Sequence, residues 1–341
     1  MCHILSKFHC DSVYQTVGWI LYQMKLKIKQ LVRWVFFTIF LILLVHYICN
    51  HWNEFSFLGR LNYIYIIPIT LISFALLLLS SYRFFLIIKK LNRDVPFVYV
   101  FQIQVMGRFF SRIIPQSGVI YKAHAFEKRG YLGYGPLFSS LISFTWMDLM
   151  ITSILCTSIV SIYQPELEFG GFRAFEFFLI ISATLLSSTL IVFMVSNKIA
   201  PVTFSKIMPL WRIYNRIFIR IREGLKLISD PRLITGGILI ILAEILFSIL
   251  RLYFCFSLIG YSTEFSMLLV FITVSRILNV INITPGNFGL REFVFGYLSN
   301  LMETGISQGI FISLKIRAIE FILLGCLVCL FTFFLKLNRR R

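Results

Sequence analysis

The residues of this sequence that could do chemistry are ionisable side chains set inside otherwise apolar runs. They are Asp148, Glu244, Arg251, Arg276, Arg291, Glu292, Lys315, Arg317 and Glu320, five bases against four acids. A charge at bilayer depth costs about 2.5–3.5 kcal/mol on insertion scales and marks a functional position by default. The near balance of signs predicts that most of them are paired. Helical spacing offers partners: Glu244 and Arg251 lie two turns apart on one face, Arg317 and Glu320 are at i,i+3, and Gly289, Glu292 and Gly296 stack in one stripe. Thr273, Arg276 and Asn279 form a second polar stripe, and Ser313, Arg317 and Glu320 a third.

The arginines carry the sharper chemistry. A guanidinium presents paired donors that match phosphate oxygens, and it keeps its charge when desolvated. Arg276, Arg291 and Glu292 adjoin a Pro-Gly break and read as a site, whereas Glu244 with Arg251 reads as glue between helices. Gln104, Arg108 and Arg112 share one face of an earlier segment that also ends at a break. A helix starting after Pro285 would aim its N-terminal dipole at an anion.

Other chemistries are poorly supplied. His124 with Glu127 is the acid-base pair nearest a break, the feature a membrane-embedded transferase would need, and it reads as interfacial. Cys326 and Cys329 form a CxxC inside an apolar helix and read as packing residues. The cluster Cys2, His3, His9 and Cys10 matches no common zinc spacing, and the seven cysteines show no disulfide pattern. No P-loop or other nucleotide motif is present. The sequence therefore calls for no metal and no cofactor, and the expectation is that the chain is not an enzyme.

The elements that must position these residues follow from composition. Of 341 residues, 58% are hydrophobic and 14% charged, with a mean hydropathy of +0.83; soluble domains run near 45–50% and 25%. This is an all-α polytopic integral membrane protein. The net charge of +18 would raise nucleic acid in a soluble protein, but no motif supports that partner. Apolar runs cover 34–49, 63–82, 96–114, 137–163, 175–196, 233–259, 265–283, 288–302 and 306–335. With about 20 residues per span, they make seven to nine hydrophobic segments in a single transmembrane domain over 34–335. Residues 1–33 form an N-terminal segment and 336–341 a basic tail. The first run lacks a cleavage site and reads as a retained signal anchor. Met24 looks like an ordinary start, so 1–23 reads as a start-site artefact.

Positive charge marks the cytoplasmic side. Arg83, Lys89, Lys90 and Arg93 in 83–94, eight Lys/Arg in 197–232 and the basic tail belong there. Both termini are thus expected in the cytoplasm, in a multi-pass protein of the cell membrane. Within the long loop, residues 209–228 read as a basic amphipathic helix at the interface. The base-poor loops 50–62, 164–176 and 260–264 belong outside.

This assignment leaves the run 96–114 unable to cross once, because the segments on both sides of it lie inside. It should enter and return as a re-entrant element around Pro115 to Gly118. Broken backbone at membrane depth needs surrounding protein or a water-filled cavity, so the turn marks a site. Parity near the C-terminus favours a second re-entrant pair around Thr284 to Gly289.

The two broken elements share an order of features. The first holds Arg108, Arg112, Pro115, Gly118 and Lys122; the second holds Arg276, Pro285, Gly286, Gly289, Arg291 and Glu292. Each leads into a long helix with an acid, Asp148 in one and Glu320 in the other. The two prolines stand half a chain apart. Paired Pro/Gly-broken segments in two halves point to a binding site between repeats.

The run "ITPGNFGLREFVFGYL" followed by "GISQGIFISLKIRAIEF" resembles the C-terminal signature of the lysylphosphatidylglycerol synthase transmembrane family. The stretch "RIIPQSGVIYKAHAFEKRGY" and the later "TWMD" are similar to its N-terminal signature. The family carries Gly-Glu after the first proline and Glu-Arg before the Asp, where this chain has Gly118-Val119 and Thr145-Trp146-Met147. The resemblance spans about residues 30 to 335. It implies a flippase-like domain that moves lipids between leaflets, standing alone without the aminoacyl-lipid synthase domain of fused relatives. Membrane lipids, anionic or polyprenyl-phosphate linked, are the implied partners, with an envelope synthase beside them. The residues expected to hold a headgroup are those of the two broken elements together with Asp148, Arg317 and Glu320. The alternatives are a membrane-embedded transferase and an accessory scaffold in envelope synthesis.

Overall fold

The computed structural model describes residues 61–91, 94–114, 117–131, 133–163, 171–198, 231–281 and 287–338, with short stretches at 38–39, 42–43, 45–51, 59 and 168–169. The N-terminal segment 1–33, the basic stretch 209–228 and the residues Pro115, Pro285 and Gly286 lie outside the described residues. A first helical series comprises α1 (Ile66–Leu91), α2 (Phe97–Ile113), α3 (Ser117–Lys128) and α4 (Tyr134–Tyr163). A two-residue antiparallel pairing of Glu168–Phe169 with Phe172–Arg173 then leads into α5 (Ala174–Lys198). A second series comprises α6 (Pro231–Leu258), α7 (Phe265–Ile281), α8 (Leu290–Leu301) and α9 (Ile306–Asn338).

The series match element by element. Helix lengths run 26, 17, 12 and 30 residues in the first and 28, 17, 12 and 33 in the second. At 1.5 Å rise per residue, a 17-residue helix reaches about 26 Å and a 12-residue one about 18 Å, both short of a hydrocarbon core of about 30 Å. The first and last helices of each series, α1, α4, α6 and α9, are long and apolar enough to cross a membrane. The apolar runs read from the sequence therefore correspond to two kinds of element, full-length helices and short arms.

Local chemistry explains the breaks. Ile114 precedes a proline and takes the extended conformation, φ −127° and ψ 126°, because the pyrrolidine ring clashes with a helical residue before it. That ends α2. Before α8, Asn287 and Gly289 both have positive φ, 58° and 87°, which turns the chain sharply ahead of the helix. Along the apolar helices, several buried hydroxyls are satisfied by their own backbone. Ser73, Ser81, Thr157 and Ser182 each donate to the carbonyl four residues earlier, so they bring no unmet donor into the core.

The two series run in opposite directions. The N–H of Asn62, ahead of α1, donates to the carbonyl of Leu258 at the end of α6, which makes α1 and α6 antiparallel. α2 lies antiparallel to α9 through Phe101 on Phe331 and Phe109 on Phe321. In the other half α7 lies against α4, where Arg276 meets Asp148. Each short arm thus packs on the long final helix of the opposite series, an exchange that an inverted two-fold relation requires.

The short 12-residue helices break that symmetry. α3 folds back on α2: Tyr99 Oη donates to the carbonyl of Ala125, Tyr121 Oη to Met106 Sδ, and the backbones close at Gly107 and Gly118. α8 instead folds against α9, with Gly296 packed on Ile306 and Ile310 and Gly309 against the Phe295 carbonyl. The first element is therefore a helical hairpin, as expected. The second is divided, its short helix held by the helix that follows rather than the arm that precedes.

Candidate functional site

A cavity of about 960 Å³ opens between the two series, lined by residues of all eight of their helices or of the turn before α8. Eight of its side chains are basic: Arg83, Arg108, Arg112, Lys122, Arg251, Arg276, Arg291 and Arg317. Three are acidic, Asp148, Glu244 and Glu320, and Glu292 adjoins the cavity through Arg317.

Five of these bases are ion-paired, four of them in two groups of like design. Asp148 on α4 binds Arg276 of α7 and lies 3.3 Å from Arg83 of α1, whose Nη1 is also 3.4 Å from Glu244 of α6. Arg83 thus bridges two carboxylates by charge rather than by an aligned hydrogen bond, its Nη1 having no hydrogen-bond partner. Glu320 on α9 binds Arg251 of α6 and Arg112 of α2. In each group the final helix of one series supplies the acid, its own first helix supplies one arginine, and the short arm of the other series supplies the second.

A third group builds the wall behind the cavity. Glu292 is fully buried; its Oε2 accepts from the Gly289 N–H at 2.7 Å and its Oε1 from Ser313 at 3.1 Å and Arg317 at 3.0 Å. Arg317 also donates to the carbonyl of Asn287 at 3.2 Å. Asn287 in turn donates to the carbonyl of Leu278 at 2.8 Å, satisfying the C-terminal end of α7. This polar chain bridges the break between α7 and α8. The N-terminus of α8 is consequently capped by its own Glu292, which corrects the expectation that it would offer its dipole to an anion.

Arg108, Lys122 and Arg291 face the cavity with no carboxylate within 4 Å among the described residues. Lys122 lies over the Phe84 ring at 5.4 Å and Arg291 over the Phe295 ring at 5.0 Å. The Nε of Arg291 and of Arg251, Oδ1 of Asn287 and Oε1 of Glu244 are buried without a hydrogen-bond partner. An unpaired charge held away from water is costly, and all three of these bases are half-buried.

The model of one protein family, the lysylphosphatidylglycerol synthase TM region, matches residues 30–327. The chain belongs to that family. Membership makes it a membrane protein of a family associated with lipid and envelope biosynthesis. No curated protein and no solved structure matches the chain.

Against this lysylphosphatidylglycerol synthase TM region frame, the expected residues sort by place. Arg108, Arg112, Lys122, Asp148, Arg276, Arg291, Arg317 and Glu320 line the cavity. Gly118, Gly289 and Glu292 do not; Gly118 lets α3 approach α2, and the other two form the start of α8. The pairing predicted within helices is replaced by pairing between them. Glu244 and Arg251 are about 10 Å apart along one axis, and each meets an arginine or carboxylate on another helix instead. Both join helices through these pairs and both line the cavity.

Arg83 and Asn287 are cavity residues that the sequence did not mark. Arg83 was assigned to a cytoplasmic segment at 83–94, but α1 continues to Leu91 and carries Arg83 inward. The apolar run was ended at its first charge, and the helix runs on because that charge is neutralised by acids from two other helices. Asn287 gave no sequence signal beyond its place in a turn. His124 and Glu127 are exposed, and neither lines the cavity.

Proposed function

We propose that this protein moves an anionic phospholipid or a lipid-linked glycan intermediate between the leaflets of the cell membrane, as a flippase-like translocase without a chemical step. The observation that carries the reading is the set of three unpaired bases, Arg108, Lys122 and Arg291, inside a cavity between two inverted halves. Guanidinium and ammonium donors in a desolvated pocket are the chemistry that holds a phosphate. The acyl or prenyl chain would stay in the bilayer while the headgroup crosses through the cavity.

The inverted halves supply a route for alternating access, since exchange of their conformations opens one site to either side. Arg276 on Asp148 and Arg112 on Glu320 each tie one half to the other. Breaking one tie while keeping its counterpart would be the two states of that exchange. An ion gradient or coupled synthesis by an envelope synthase partner would supply energy. Both termini are proposed to be cytoplasmic.

The test is reconstitution in liposomes with a fluorescent anionic lipid and a membrane-impermeant quencher. Accelerated exposure of the lipid by the unaltered protein, lost in Arg291→Ala, supports the reading. No acceleration, with folded protein in the bilayer, overturns it.

A further inference from the structure

We infer that the cavity selects a headgroup carrying two phosphate groups over one carrying a single phosphate. The inference rests on the translocase reading and narrows its substrate class.

Charge is the first ground. Eight bases line the cavity, and four carboxylates line or adjoin it, leaving an excess of four positive charges. A phosphodiester brings one negative charge, and a zwitterionic lipid brings none in sum. A headgroup with two phosphates brings at least two charges and twice as many acceptor oxygens.

Placement is the second ground. The unpaired bases come from two separate elements. Arg108 and Lys122 stand on the α2–α3 hairpin, where the Lys122 stem packs over Gly107, the residue before Arg108. Arg291 stands on α8, in the other half. Bases from two separate elements thus face one space, and a volume of about 960 Å³ is at the upper end of small-molecule pockets, about 300–1,000 Å³.

The manner in which the bases are held is the third. Lys122 and Arg291 rest against the ring faces of Phe84 and Phe295 rather than on carboxylates. A ring face attracts the cation without using its N–H donors as a carboxylate does. Those donors, including the buried Nε of Arg291 that has no partner, remain for a ligand.

The experiment measures equilibrium binding to the full-length protein in nanodiscs of neutral lipid. The probes are polyprenyl diphosphate, polyprenyl monophosphate, cardiolipin, phosphatidylglycerol, inorganic pyrophosphate and orthophosphate. The diphosphate lipid or cardiolipin should bind at least about ten-fold tighter than its single-phosphate counterpart. Which of the two shows the larger ratio identifies whether the phosphates are adjacent or separated by a glycerol. Arg291→Gln should bring that ratio to about one, and Arg291→Lys should restore part of it. Equal affinities for one and two phosphates overturn the inference and leave the translocase reading standing. Inorganic pyrophosphate binding as tightly as either lipid also overturns it, assigning the site to a soluble anion. If none of the lipids binds and none is moved in liposomes, the translocase reading itself falls. The comparison among ligands is made on the unaltered protein, so it stands even where a variant fails to fold.

Discussion

Arg83 of α1 and Arg251 of α6 hold corresponding places in opposite halves of the molecule: each reaches the acid on the final helix of its own series, Asp148 or Glu320. Each acid then takes a second arginine from the short arm of the other series, Arg276 for Asp148 and Arg112 for Glu320. The two carboxylates are therefore the points where an own-half contact and a cross-half contact meet. Arg83 differs by also reaching Glu244, so the first group holds one more carboxylate than the second.

Removing Arg83 should cost stability. Arg83→Ala leaves Glu244 without its ion pair and Asp148 with one arginine in place of two, and breaking a buried pair from one side costs about 3–5 kcal/mol. Thermal unfolding of the detergent-purified protein should show a clear fall in Tm, with Arg83→Lys in between. An unchanged Tm would mean that the bridge carries no structural weight.

Arg291 should behave in the opposite way. It is a half-buried cation with no carboxylate within 4 Å among the described residues, so Arg291→Met removes a charge that has no direct ion pair and should leave the Tm unchanged or raise it. Lipid movement in liposomes should nevertheless be lost. A variant that is both destabilised and active would show that Arg291 is structural.

Neutralising one acid at a time should bias the cavity to one side. Asp148→Asn weakens the tie to Arg276 and leaves Glu320 with Arg112 intact; Glu320→Gln does the converse. A cysteine placed at Ser275 or at Ser111, both lining the cavity, should then change its labelling by a membrane-impermeant thiol reagent in opposite directions in the two variants. Identical labelling in both would exclude the two acids as opposed latches.

The wall of the second break depends on Glu292. In Glu292→Ala the Gly289 N–H loses its acceptor and Arg317 loses its carboxylate, so folding yield should fall sharply. Glu292→Gln keeps an acceptor for Gly289 and should be milder. If alanine and glutamine give the same Tm as the unaltered protein, the cap is dispensable.

Close helix approach is testable at glycine. A Cβ at Gly118 would meet the Gly107 carbonyl and one at Gly309 the Phe295 carbonyl, whereas Gly325 has open space around it. Overpacking of this kind costs about 1–3 kcal/mol, more where backbone must move. Gly118→Ala and Gly309→Ala should lower the Tm, with Gly325→Ala as the neutral comparison.

Much of this arrangement was legible before any coordinates. Apolar runs bounded the helices closely because a span must be continuous and largely uncharged, and the two proline breaks stood out because proline past the first turn of a helix ends or kinks it. The basic chemistry at Arg108, Lys122 and Arg291 could be named because a charge in an apolar run is costly and therefore informative. Arg83 was lost for the same reason, since a charge at the edge of a run looks like its end. The partners were not legible. Glu244 and Arg251 share a helical face, yet their contacts come from helices distant in the chain.

What the sequence by itself determined is the inventory: a membrane protein in two similar halves, each with a broken arm and a buried acid, in a recognisable family. Each of those depends on local composition and on order along one chain. Only the tertiary structure decided which arginine meets which acid, that α8 leaves α7 to pack on α9, and that three bases remain without a carboxylate. Pairing is decided by distance in space, and an inverted fold brings together residues whose separation in sequence carries no trace of their contact.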